Sequence, residues 1–133
     1  MQKKKKSEVE KEPIKELTVE EKSALNEKVE RLSIEMKELE ATSPKQVEKL
    51  AKVYEEIGLV QAKLEQIDSA IVTLEKSLAT KETIGDGYKK LMSLYNAKRA
   101  EAARNGDDAG IDKYMGKMDE MRQIAKKVTI SGQ

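Results

Sequence analysis

Apolar residues along this chain recur at spacings of three and four, and nowhere alternate with period two for long enough to make a strand. The pattern predicts an all-α fold of about five helices. The first stripe, Leu25, Val29, Leu32, Met36 and Leu39, is narrow and strictly spaced. Its helix is expected to start at Thr18, whose hydroxyl can cap the first turn while Glu21 returns the bond, and to end near Ala41. Ser43 is then expected to cap a second helix, with Pro44 in its first turn and Gln46 as the partner in the cap. That helix carries Val47, Leu50, Tyr54, Ile57 and Leu64, and it contains Gly58, which costs about 1 kcal/mol relative to Ala. A glycine kept there at such a cost marks the close approach of a neighbouring helix, with Ala70 expected opposite.

The third stripe runs through Ile67, Ala70, Ile71, Leu74 and Leu78. Neither Gly nor Pro separates it from the second, so a break after Glu65 competes with one continuous helix from Ser43 to Thr80. Thr83, Gly85 and Gly87 interrupt the pattern. A fourth helix over about Asp86–Arg104 turns Tyr88, Leu91, Tyr95 and Ala102 inward. The run Asn105-Gly106-Asp107-Asp108 reads as a turn, because Asn and Gly tolerate left-handed φ and an Asp can cap the next helix. That fifth helix, over about Asp108–Lys127, places Ile111, Tyr114, Met115 and Met118 inward. Residues 1–16 read as a disordered charged tail, since they offer too little apolar surface to offset the entropy of ordering them. Residues 17–128 form a single helical domain, and residues 129–133 are expected to fray.

Composition narrows the chemistry. The chain has no His and no Cys, so it lacks an imidazole base, a thiol nucleophile and the usual zinc ligands. Gly85-x-Gly87 lacks the third glycine and the preceding strand of a phosphate loop. These absences argue against an enzyme and against a cofactor. Lys and Arg number 26 and Asp and Glu 25, a balance that exerts no overall pull on nucleic acid or anionic lipid. The run Lys3–Lys6 is succeeded by Glu8, Glu10 and Glu12, so it reads as solvated tail. No stretch is apolar for long enough to span a bilayer, and the expected location is the cytoplasm.

One pair of positions repeats. Tyr54-x-x-Ile57 returns as Tyr88-x-x-Leu91, 34 residues later, and each pair leads into a second helical stripe. With Gly58, Ala70, Leu74, Ser77 and Tyr95 at matching spacings, and Gly110 and Tyr114 only after an insertion of about six residues, the chain resembles the tetratricopeptide repeat, a helical hairpin of roughly 34 residues. The resemblance covers about residues 48–120, as one good unit over 48–81 and a second, elongated one over 82–120. Gln61, Met92 and Lys117 depart from it, and no Pro closes the first unit at Glu82.

The resemblance implies a protein-interaction module built from two antiparallel hairpins plus an extra N-terminal helix. Its groove, lined by the first helix of each unit, would show Lys52, Glu55, Leu59, Ala62 and Lys63, then Asp86, Lys89, Ser93, Asn96 and Ala97. Some relatives grip a peptide's terminal carboxylate there with Lys and Asn; Glu55 and Leu59 at those positions argue against that mode. The expected partner is a protein or peptide whose identity the residues do not specify. The alternative function is self-association, with Leu25, Val29, Leu32, Met36 and Leu39 forming the seam of a homodimer. Nucleic-acid association is disfavoured, because residues 81–133 hold 11 basic against 8 acidic residues and aromatics for stacking are scarce.

Overall fold

A computed structural model describes residues 16–130. Residues 1–15 of the expected tail and the last three residues lie outside them. Within the described residues the chain is all α, with helices α1 (Val19–Ala41), α2 (Val47–Lys63), α3 (Ile67–Thr80), α4 (Asp86–Arg104) and α5 (Asp108–Ile130). None is long and apolar enough to cross a membrane.

The start of α1 arises from its sequence. The Thr18 hydroxyl accepts from the Glu21 amide at 3.0 Å, and the Glu21 carboxylate accepts from the Thr18 amide at 2.9 Å. The start of α2 is a correction. Its first residue is Val47, three positions beyond Pro44, and Gln46 occupies the cap position without a side-chain bond. Ser43 and Pro44 belong instead to the connection, where the Lys45 ammonium donates to the Glu40 carbonyl at 3.1 Å.

The chain does break after α2. Glu65 sits at φ 62°, in the left-handed region. The Glu65 amide donates to the Ala62 carbonyl at 3.0 Å and the Gln66 amide to that of Gln61 at 2.9 Å. These paired bonds close a helix end in the usual two-bond manner. The same pair recurs at the end of α4: Gly106 lies at φ 67°, its amide donates to Ala103 at 3.2 Å, and the Asp107 amide donates to Ala102 at 2.8 Å. A glycine accepts this geometry freely, whereas at Glu65 the Cβ opposes it by about 1 kcal/mol. Packing of α3 against α2 supplies the difference, which is why no turn residue announced the break.

Helices α2 and α3 form one hairpin and α4 and α5 another, while α4 also packs on α3 and, more lightly, on α2. Where α2 meets α3, an atom at the Cβ position of Gly58 would lie 2.6 Å from Leu74 Cγ and Cδ2. The close approach expected at Gly58 is present, but Leu74 faces it; Ala70, one turn earlier, is 0% exposed within the core cluster. Ser77 secures the same interface by donating to the Ala51 carbonyl at 2.8 Å.

Two apolar clusters result. Ala70, Ile71, Leu74 and Leu78 of α3 pack with Leu91, Leu94 and Tyr95 of α4 and Met121 of α5. Leu39 of α1 packs with Leu50, Val53, Tyr54 and Ile57 of α2. Met121 is thus the buried methionine of its group, and Met115, expected inward, is 51% exposed. The reason is angular: Met121, Tyr114 and Met118 lie on one stripe towards α4, and Met115 is rotated by about 100° from Tyr114. Helix α5 also continues three residues past Lys127, and Val128, at the margin of the segment expected to fray, is buried.

Candidate functional site

Helices α2 and α4 lie side by side, and the sequence sets where they meet. Gly85 precedes α4 and offers no side chain to cap it. Glu55 on α2 takes that role: its carboxylate accepts from the Gly87 amide at 2.7 Å. A Cβ at Gly87 would lie 2.8 Å from Glu55 Cγ and Oε2, so glycine is what lets the carboxylate reach the backbone. A carboxylate at the positive end of a helix is stabilised by the exposed amides and by the dipole. The charge of Glu55 is therefore already engaged.

Two open hollows adjoin this junction and share Asp86. The upper one lies between α2 and the end of α3 and is bordered by Lys52, Glu55 and Asp86, together with Glu48 and Lys81, which pair at 3.8 Å. The lower one, the groove between α2 and α4, is lined by Leu59 and Lys63 of α2 and by Asp86, Lys89, Lys90 and Ser93 of α4. Of the positions picked out by the repeat pattern, Lys52, Glu55, Leu59, Lys63, Asp86, Lys89 and Ser93 line these two hollows. Asn96 does not; it lies further along α4 on the exposed surface, where its side-chain oxygen accepts from Arg99 Nε at 3.1 Å. Ala62 is half-buried and packs against the larger core cluster, and Ala97 is exposed. Lys90, which the repeat pattern did not select, also lines the groove. Its place was legible only from its being next to Lys89 on a helix whose opposite face is apolar.

The opposite surface is built differently. Lys117 of α5 reaches Glu75 of α3 at 3.4 Å, and Lys127 reaches Glu82 at 2.8 Å. The Tyr95 hydroxyl donates to Glu75 as well. Lys117, a departure from the repeat pattern, thus spans a gap where a small residue would leave two helices apart. Burial, and then the hydrogen bond and charge of Glu75, push the Tyr95 phenol upward. Burial pushes Tyr54 up to about 12, helped by the Glu40 carboxylate to which its hydroxyl donates. Both phenols are therefore held protonated as structural donors.

The stripe assigned to self-association has a place within the chain. Val29, Leu32 and Met36 pack beside Leu39 against the cluster on α2, and Leu25, one turn earlier, is half-buried. Helix α1 packs against α2 and no other helix among the described residues. On its outer side Ile34 is 61% exposed. Comparison of the chain with family models, with curated proteins and with solved structures finds no match.

Proposed function

We propose that this chain is a non-enzymatic protein-interaction module, made of two tetratricopeptide-like hairpins capped by α1, that holds a protein or peptide in the groove between α2 and α4. One observation carries the reading. Leu59 and Ser93, 34 positions apart in the repeat pattern, line one open groove, and Glu55 and Lys89, also 34 apart, line the two hollows that share Asp86. The groove walls are two helices locked by the Glu55–Gly87 bond and by packing on α3, so a partner would meet a preorganised surface. Recognition would then rest on shape and charge, with no bond made or broken. The cytoplasm is the setting that goes with this reading.

The test fills the groove without changing its charge. Ser93 is exposed, so Ser93→Trp should leave the helical signal and melting temperature unchanged while blocking the lower groove. Proteins captured from a native lysate by the wild type and lost with Ser93→Trp support the reading; capture that persists unchanged argues against this groove. The homodimer alternative would require the apolar face of α1 to serve α2 and a second copy at once, or to leave α2. Sedimentation of the intact chain as a dimer whose dissociation unfolds α1 would favour it.

A further inference from the structure

Among the described residues, the lysines of the lower groove contrast with four others that face a neighbouring element. Those four each meet an acid: Lys81 with Glu48, Lys98 with Asp68, Lys117 with Glu75 and Lys127 with Glu82. In the lower groove Lys63, Lys89 and Lys90 have no ion pair among the described residues, although the chain as a whole carries almost as many acids as bases. Three lysines against Asp86 leave an excess of two positive charges there. Asp86 itself sits in the first turn of α4, where the helix dipole already favours it. Lys89 and Lys90 come directly after that positive end, a placement that raises the local potential and does nothing for the helix. Leu59, half-buried, provides an apolar floor between the charges.

We infer that the lower groove takes an internal acidic segment of a partner protein, its side-chain carboxylates against Lys63, Lys89 and Lys90 and an apolar side chain on Leu59. The inference rests on the interaction-module reading and specifies its partner. Side-chain carboxylates are meant, and a chain terminus is not: the lysines are spread over two helices and both sides of the groove, Asn96 is turned to Arg99, and Glu55 is occupied by Gly87. Several dispersed cations suit several dispersed anions along an extended chain. They also make association fast and sensitive to salt.

The probe is a fluorescein-labelled peptide of sequence Glu-Glu-Leu-Glu-Asp-Leu-Glu-Glu, amidated at its C-terminus, with binding to the full chain read by fluorescence anisotropy. Saturable binding is expected, weakened by salt, and equal for the amidated and free-acid peptides. Lys63→Glu/Lys89→Glu should weaken it by tenfold or more, on the order of what two exposed pairs and their reversal supply. Lys63→Gln/Lys89→Gln should weaken it less. Lys22→Glu/Lys37→Glu, the same charge change on α1, should have little effect. Absence of binding by folded wild type, equal losses from the α1 pair, or a requirement for the free carboxylate would each overturn the inference. So would tighter, equally lysine-dependent binding of a single-stranded oligonucleotide of the same charge. If the peptide fails while Ser93→Trp still abolishes lysate capture, the acidic-segment inference falls and the groove reading stands.

Discussion

Gly58 offers the sharpest test of how α2 and α3 are fitted together. Replacing it with Ala should gain about 1 kcal/mol from helix propensity alone. The added methyl, however, would stand 2.6 Å from two carbons of Leu74 and 3.3 Å from its backbone nitrogen. Carbon atoms in good contact lie about 3.5–4.0 Å apart, so the fit is short by about 1 Å. Leu74 is 1% exposed and cannot swing away into solvent. Overpacking of this kind costs about 1–3 kcal/mol, so Gly58→Ala should destabilise by about 1 kcal/mol net and Gly58→Leu by about 3 or more. Leu74→Ala removes the atoms in conflict, at its own cost of about 2–5 kcal/mol for the cavity. In that background Gly58→Ala should become neutral or stabilising, and the cycle should show a coupling of about 2 kcal/mol. Urea unfolding monitored by far-ultraviolet circular dichroism, with the slope checked for constancy, measures all four chains. Additivity within about 0.5 kcal/mol, or a Gly58→Ala chain more stable than wild type, would refute the contact with Leu74.

Single groups elsewhere give three more tests. Glu65→Gly should raise stability by about 0.5–1 kcal/mol by relieving a left-handed Cβ at the end of α2; no gain in urea midpoint would mean that the turn carries no such cost. The side-chain oxygen of Gln61 is buried and has no hydrogen-bond partner among the described residues, so Gln61→Leu should stabilise by about 1 kcal/mol, and a thermal midpoint that falls instead would show that the oxygen is satisfied in solution. Tyr54, pushed up to about 12, and Tyr95, pushed up further, keep protons in the folded state that the unfolded chain releases near pH 10. Their stabilising effect should therefore be complete below about pH 10 and decline as pH rises through 12; the Tyr54→Phe/Tyr95→Phe chain should show a shallower loss of urea midpoint above about pH 9, and an equal or steeper one would contradict the assignment.

What the sequence determined by itself is local. Periods of three and four fixed an all-α chain, Thr18 and Glu21 fixed the start of α1, and Asn105-Gly106 fixed the turn before α5, because each depends on residues within a few positions of one another. The 34-residue echo was legible too, and the resemblance it suggested implied seven residues, from Lys52 to Ser93, that line the two hollows beside α2. Tertiary structure decided the rest. No short-range signal marks Glu65 as left-handed; the hairpin forms because α3 gains more by packing on α2 than Glu65 loses. The stripe on α1 is apolar in the same way whether it meets α2 or another molecule, and only the folded chain places Leu39 with Leu50 and Tyr54. Glu55 reads as an ordinary exposed acid until Gly87, 32 residues away, is brought to its carboxylate. Which lysines find an acid, and which three remain open in the lower groove, depends on distances between helices, and no spacing along the chain contains those distances.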